Sequence, residues 1–439
     1  RPLVFIQSLF TTIKCILIIK KKGFDFFIKV FKIKKINFGD LIYDSYIKKN
    51  QKFLNPSLDF QLYNTIFTAC CRIFYIYDLI ISKNINFIVV NTTAYSLNDG
   101  VAARIGVFKK KKVLELTAPT TIISHNLTTA KYGFQNIKKN YSIKKINDLK
   151  LSENKLNKFI KNRFENKIKG FYTTTNQLSL VNPIKSKIYS RDDLINLYFK
   201  NQKFKKIIVI TSHAFSDSPH ESGYNLLFND YYDQLKQTIL YIQKIKLDDI
   251  LWLVRPNPTS IYNGEYKLVK KLVEEVNYKF LKITPEKISS KNIIKICDHV
   301  ITSRGTMALE FACFGKGSLI TGSAPYSGMG IVKEFKDKSV YFKAISNINV
   351  LGNLSKKKII IAKKALYFLE TYNRRFFNWN DDLRKISSLG REGELLRKIT
   401  DMKNNNDLKN KELVSTQLEF LKIIYKKKNI IFNSIFKKI

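Results

Sequence analysis

Five apolar runs in the second half of the chain, each feeding a polar stretch, constrain the fold more than any other feature. They are KIIVI (206–210), ILWLV (250–254), KFLKI (279–283), HVIT (299–302) and GSLI (317–320). A strand wetted on one face alternates apolar with polar residues. These runs are near-continuous, as in strands covered on both faces of a parallel sheet. Helical patterns lie between them, at Phe228–Lys246, Gly264–Val276, Asn292–Cys297 and Met307–Phe314. Strand–helix alternation repeated this often predicts a doubly wound α/β domain. The first half carries a fainter version, with NFIVVN (86–91) and KVLEL (112–116) as short β-branched runs among helical patterns.

With 439 residues the chain has material for two or three domains. We expect a Rossmann-like domain over 1–190, a second over 200–355, and a helical C-terminal segment over 356–439. Between the first two, Lys138–Lys169 is a polar Lys- and Asn-rich excursion, and Asn182–Arg191, with Pro183, suits a linker. Two such domains joined near residue 195 would leave a cleft between their sheet edges. The last stretch, Lys422–Ile439, is basic and amphipathic.

Lys and Arg number 77 against 35 Asp and Glu, a formal charge of +42. Such a balance invites a nucleic-acid reading. The lysines, however, are spread over the whole length, and no zinc-finger spacing, RNP motif or helix-turn-helix pattern accompanies them. The expected partners are instead anionic substrates or the negative cytoplasmic leaflet of a membrane, against a solvated basic surface as the plain alternative. No nucleic-acid partner is expected.

Cys15, Cys70, Cys71, Cys297 and Cys313 match no metal-site spacing and have apolar neighbours, which predicts reduced, buried thiols in the cytoplasm. The four histidines are scattered, so no metal site is expected. The chain opens on Arg1 rather than Met, so its natural start is expected upstream. Leu3–Ile19 is apolar but interrupted by Gln7, Ser8, Thr11, Thr12 and Lys14. It falls short of the roughly 20 apolar residues of a membrane span and reads as a core helix in preference to an interfacial one. Nothing later in the chain reads as a span.

Chemistry concentrates where these strands end, which is where α/β sheets place their binding crevices. After HVIT come Ser303, Arg304, Gly305 and Thr306, and a helix begins at once. A helix N-terminus offers unpaired N–H groups and partial positive charge, which suits a phosphate. Gly305 permits close approach, Ser303 and Thr306 bring hydroxyls, and Arg304 brings a cation. An ordinary Ser/Thr helix cap uses the same residues, and the pattern leaves both readings open. After GSLI, the loop TGSAPYSG (321–328) carries Tyr326 and Ser327.

After ILWLV, Arg255-Pro256-Asn257-Pro258 makes a rigid loop in which Arg255, Thr259 and Ser260 could hold a nucleotide, or in which the prolines merely end the strand. After KIIVI, TSHAFSDSPHES (211–222) crowds Ser212, His213, Ser216, Asp217, Ser218, His220 and Glu221 together. A carboxylate held there by hydroxyls and N–H groups stays ionised, as a nucleophile or base must. A helix-capping Asp among surface histidines is the alternative. In the first half, Asn98-Asp99-Gly100 opens a helix carrying Arg104; Asp99 and Arg104 face the cleft and an acceptor in one reading and form a cap in the other.

Taken in order, HAFSDSPH (213–220), VRPNPTS (254–260), ITSRGTMALEFACFGK (301–316) and GSAPYSGMG (322–330) resemble bacterial capsule and surface-polysaccharide glycosyltransferases of the GT-B fold, near the retaining β-Kdo transferases. The resemblance spans about residues 85–335. It implies two Rossmann-like domains facing across a cleft, a nucleotide-sugar donor on the C-terminal one and a glycan or glycolipid acceptor on the other. It implies CMP-Kdo, or a related CMP-ulosonic acid, as donor and no cofactor or metal. Asp217 falls at the nucleophile of the retaining relatives, with His213 beside it. Arg255, Asn257, Pro258, Ser260, Ser303, Arg304, Gly305, Thr306 and Glu310 fall on the nucleotide. Ser216, His220, Arg104, Tyr326 and Ser327 fall near the sugars. Asn257 departs from the group's usual His, which puts the donor's identity in question. An inverting UDP- or GDP-sugar transferase with Asp99 as base, a CDP-polyol transferase and a non-catalytic polysaccharide-assembly partner remain as alternatives. Cysteine usage and charge together lead us to expect a cytoplasmic protein, peripheral at the inner face of the cytoplasmic membrane.

Overall fold

The computed structural model describes residues 2–50, 58–83, 85, 87–90, 97–117, 121–125, 143, 145–165, 187–222, 226–261, 264–286 and 288–371. Glu221, Thr259 and the basic stretch 422–439 bear on expectations that lie outside the described side chains or residues.

The first half runs α1 (Pro2–Val30), β1 (Lys32–Ile33), β2 (Ile36–Asn37), α2 (Gly39–Asn50), α3 (Phe60–Ser82), β3 (Phe87–Val90), α4 (Leu97–Phe108), β4 (Lys112–Thr117), β5 (Thr121–His125), α5 (Glu153–Phe164) and α6 (Arg191–Asn196). Its main sheet has the order β3-β4-β5, with β3 and β4 parallel and β5 antiparallel to β4. The helix joining the parallel pair, α4, sits so close that a Cβ on Gly106 would come within 2.5 Å of the Ile88 side chain and 2.8 Å of Val113. Any larger residue there would have to push those two side chains aside.

The helices of this half depart from the sequence reading. α1 continues to Val30, with a break at Gly23, whose φ is +78°. Ser8 and Thr12 do not interrupt it, because each hydroxyl donates to the carbonyl four residues back, at 2.6 and 2.8 Å. That satisfies the polar groups within the helix itself. Both α1 and α3 are long and apolar enough to cross a membrane, by length and composition. The expectation of no such stretch beyond the N-terminal run is therefore corrected at α3. Nor is α1 a core helix: Val4, Cys15, Ile16 and Ile19 are buried, while Leu3, Phe10 and Leu17 on its other side are open to solvent.

The second half runs β6 (Lys206–Thr211), α7 (Pro219–Ser222), α8 (Tyr231–Ile245), β7 (Ile250–Arg255), α9 (Glu265–Val276), β8 (Leu281–Ile283), α10 (Ser290–Ile296), β9 (His299–Thr302), α11 (Thr306–Cys313), β10 (Ser318–Ile320), β11 (Lys333–Glu334), α12 (Lys338–Ser346) and α13 (Lys356–Thr371). The sheet is parallel throughout, in the order β11-β10-β9-β6-β7-β8. Val209 of β6 pairs with Leu253 on one side and Val300 on the other. All six residues of β7 are buried. The five apolar runs thus become five of the six strands, four of them inner and β8 at one edge, and the fold is α/β with a doubly wound parallel sheet.

The order has one consequence for function. From β6 the chain winds outward through β7 and β8, then returns to β9 on the opposite side and winds away through β10 and β11. The reversal lies between β6 and β9, and loops leaving two such strands part to opposite faces and open a crevice. Here those loops begin at Ser212 and Ser303.

Candidate active site

The loop after β6 is held from below by a residue the sequence did not single out. Glu265, at the start of α9 and fully buried, accepts from the Phe215 N–H at 2.8 Å, the Ser216 N–H at 3.1 Å and the Ser216 hydroxyl at 2.7 Å. Burial raises its pKa, and those three donors oppose the rise. Ser212 joins this loop to the next: its hydroxyl accepts from the Asn257 N–H at 2.9 Å, and its own N–H donates to the Arg255 carbonyl at 3.0 Å. The Ser260 hydroxyl closes the Pro-rich turn on the Asn257 carbonyl at 2.6 Å, just beyond Pro258. Loops 212–218 and 255–260 are therefore one hydrogen-bonded unit.

On this support stand His213 and Asp217. His213 stacks on the Tyr231 ring, with centroids 4.2 Å apart. Burial pushes its pKa down to about 4; Asp217 opposes that and Arg304 reinforces it. The ring is neutral near pH 7, so its 4.0 Å approach to the Asp217 carboxylate is a contact between a neutral ring and an anion. Asp217 itself is 45% exposed. Ser218 follows in the left-handed region, at φ +44°, although it is not glycine. A backbone held there costs about 1 kcal/mol and persists only where its surroundings impose it.

Facing this loop across the reversal point, β9 ends and α11 begins. The N-cap of α11 is Gly305, and no side chain caps it. The Ser/Thr cap left open by the sequence is therefore not made, and the first-turn N–H groups of α11, from Thr306 on, have no side-chain acceptor. A Cβ on Gly305 would lie 2.9 Å from the Thr302 hydroxyl. The 321–328 loop is laid over this start: the Tyr326 hydroxyl donates to the Gly305 carbonyl at 2.5 Å, and Ser327 Oγ accepts from the Ala324 N–H at 2.9 Å.

Six buried polar atoms at this end of the sheet have no hydrogen-bond partner among the described residues: Thr211 Oγ1, His213 Nδ1, Ser218 Oγ, Ser303 Oγ, Arg304 Nη1 and Thr321 Oγ1. Thr211, Ser303 and Thr321 close the three adjacent strands β6, β9 and β10. Burying one such group unpaired costs about 1–3 kcal/mol. A set of them, with a guanidinium and an uncapped helix start, is what an oxyanion-bearing ligand would satisfy.

Other predicted residues are engaged elsewhere. The Arg255 guanidinium is buried beneath the loop, donating to the Ser290 hydroxyl at 2.9 Å and the Ile288 carbonyl at 3.4 Å. Burial draws its pKa down to about 10, with Glu310 opposing. Glu310 pairs with Arg163 of α5 at 2.8 Å. Arg104 makes a two-pronged pair with Asp40 of α2, at 2.6 and 2.9 Å, and donates to the Asn37 carbonyl. Asp99 lies in the first turn of the same helix. His220 is bound to Asp44 of α2, Nδ1 to Oδ1, at 2.6 Å. The structure thus gathers His213, Asp217, Ser303, Arg304, Gly305 and Thr306 at one crevice. It gives Arg104, Glu310 and His220 to contacts that tie elements together.

A scan against protein-family models and a search of curated proteins each give no match. Similar folds occur among solved structures. The chain is similar to the β-Kdo 2,4 transferase KpsC of Thermosulfurimonas dismutans, at 12% identity and a TM-score of 0.34, over 63% of this chain and 78% of that one. It is similar to the KpsC β-Kdo 2,7 transferase of the same organism, at 13% identity and a TM-score of 0.35, over 66% and 79%. A third likeness is to S. aureus MnaA in a co-structure with UDP, at 10% identity and a TM-score of 0.28, over 74% and 88%.

Proposed function

We propose that this chain is a GT-B glycosyltransferase of cell-envelope polysaccharide synthesis, using a nucleotide-sugar donor. The observation that carries the reading is the set of partnerless buried polar atoms on Thr211, His213, Ser303, Arg304 and Thr321 at the reversal point of the sheet. The donor's phosphate lies against Ser303, Arg304 and the first turn of α11, with the nucleoside along the 255–260 turn. The best donor is CMP-Kdo or a related CMP-ulosonic acid.

In this reading the exposed Asp217 carboxylate attacks the anomeric carbon as the sugar–phosphate bond breaks and CMP leaves, its charge stabilised by Arg304 and the helix start. An acceptor hydroxyl then attacks the glycosyl-enzyme from the side of the first domain, releasing its proton to solvent as the glycosyl–Asp217 bond breaks, which frees Asp217 as the carboxylate and retains configuration. Neutral His213 packs beside Asp217 and is suited to donating or accepting a hydrogen bond rather than to pairing as a cation. No step calls on a metal. The reaction belongs in the cytoplasm, a setting that five unpaired cysteines support.

Thermal stabilisation by CMP, CDP, UDP and GDP tests the donor. A nucleotide present at about 100 times its dissociation constant adds about 2.7 kcal/mol. A selective CMP response followed by transfer from CMP-Kdo is expected. Selective stabilisation by another nucleotide replaces the donor. Silence toward all four moves the chain to a non-catalytic assembly role.

A further inference from the structure

The outer side of α1 carries an apolar stripe that none of the described elements covers. Leu3, Ile6, Phe10, Ile13 and Leu17 recur at intervals of three and four and so share one face of the helix. They are 65%, 49%, 68%, 50% and 60% exposed. Single exposed apolar residues are ordinary, but a contiguous row of large ones marks an interaction surface. The opposite face is already occupied: Val4, Ser8, Thr12, Cys15 and Ile19 are buried, and α1 packs on α3.

Charge identifies what covers the stripe. Lys14 stands within it, between Phe10 and Leu17, and Lys20, Lys21 and Lys22 close its end; all four are exposed. The stripe holds no acidic residue, so a second copy of this chain docked on it would bring no carboxylate to meet these lysines. The chain's own segment 422–439, KIIYKKK onward, carries further lysines and no acidic residue, and would repel them. An anionic lipid surface meets both features, taking the apolar side chains among its acyl chains and the ammonium groups among its headgroups.

We propose that the outer face of α1 docks this protein onto an anionic bilayer, with the helix lying along the surface. α1 also packs on α2, and α3 on α2 and α4, contacts that a spanning α1, alone or with α3, would have to surrender. The inference stands on residues apart from the sheet crevice, so it survives or fails independently of the glycosyltransferase reading.

Co-sedimentation of the full chain with vesicles tests it. The vesicles are equimolar phosphatidylglycerol and phosphatidylcholine, compared with phosphatidylcholine alone. We expect binding to the anionic vesicles, at least about tenfold weaker binding to the neutral ones, and release by salt or alkaline carbonate. Phe10→Glu/Leu17→Glu should abolish binding at unchanged melting temperature. Should that variant fold poorly, Lys20→Glu/Lys21→Glu/Lys22→Glu, which touches no buried side chain, should still weaken anionic binding by about tenfold or more. The proposal is overturned if neither vesicle binds, if the variants bind like wild type, or if neutral and anionic vesicles bind alike. Retention through alkaline carbonate overturns it in favour of a spanning helix. Loss of self-association in Phe10→Glu/Leu17→Glu with vesicle binding intact overturns it in favour of a second copy.

Discussion

His220 donates its backbone N–H to one oxygen of Asp44 at 3.0 Å and sets its Nδ1 2.6 Å from the other, across 176 residues of sequence. Asp44 is fully buried on α2 of the first half, and His220 follows the loop that carries Asp217. Tyr43 seals the pair, its ring edge-on to the imidazole at 5.2 Å and its hydroxyl donating to Asp230 at 3.3 Å. Asp230 caps α8, and burial raises its carboxyl to about 6. The first half thus fixes one end of the site loop, and Glu265 fixes the middle.

The His220–Asp44 pair makes stability depend on pH. Burial lowers the His220 pKa, and the Asp44 carboxylate more than reverses this, so the net shift is upward. A raised folded pKa means the contribution is fully present below the unfolded value of about 6.5 and is lost as pH rises through the folded value. Removing one partner of a buried pair costs about 3 kcal/mol. Denaturant melts of Asp44→Asn should show that loss near pH 6 and a smaller one near pH 9; equal losses at both would remove the charge from the account.

Glu265→Gln exchanges one of two acceptor oxygens for an amide that faces donors. Destabilisation of about 1–3 kcal/mol is expected. Turnover should fall by about tenfold to a hundredfold as the loop shifts, with nucleotide stabilisation changed far less. Steady-state kinetics beside thermal shifts check this.

Ser303→Ala should separate binding from stability. Its hydroxyl is buried without a partner, so removing it leaves the free protein as stable as wild type or more so. If that hydroxyl meets a donor phosphate, nucleotide affinity drops by about tenfold or more, the cost of a hydrogen bond to a charged group. Calorimetric titration reads both, and an unchanged affinity would move the phosphate away from Ser303.

Asp217→Asn keeps the shape of the loop and removes the nucleophile. Transfer should fall by about ten-thousandfold, as when a covalent catalyst loses its attacking group, while the nucleotide thermal shift persists. Mass spectrometry of the wild type quenched during turnover should find the sugar on Asp217; an unmodified enzyme with unimpaired Asp217→Asn turnover would point to inversion instead.

Much of this protein was legible in its amino-acid order. The runs at 206–210, 250–254, 299–302 and 317–320 became inner strands, with 279–283 at the sheet's edge, because a segment apolar on both sides is satisfied between two layers. The placement of Ser303–Thr306 between strand and helix was likewise local, since a strand end, a glycine and a helix pattern are adjacent in the chain. What could not be read were the long-range partners. Glu265 looks like any acidic residue opening a helix, and Asp44, Asp40 and Arg163 look like surface charges, until the fold sets them against Ser216, His220, Arg104 and Glu310. The exposed stripe of α1 was hidden for the same reason: apolar spacing shows that a face exists but not whether anything packs on it. Local chemistry and periodicity, which act between near neighbours, were determined by the sequence alone. Which buried charge meets which, and which apolar face stays open, depended on distances that exist only once the chain has folded.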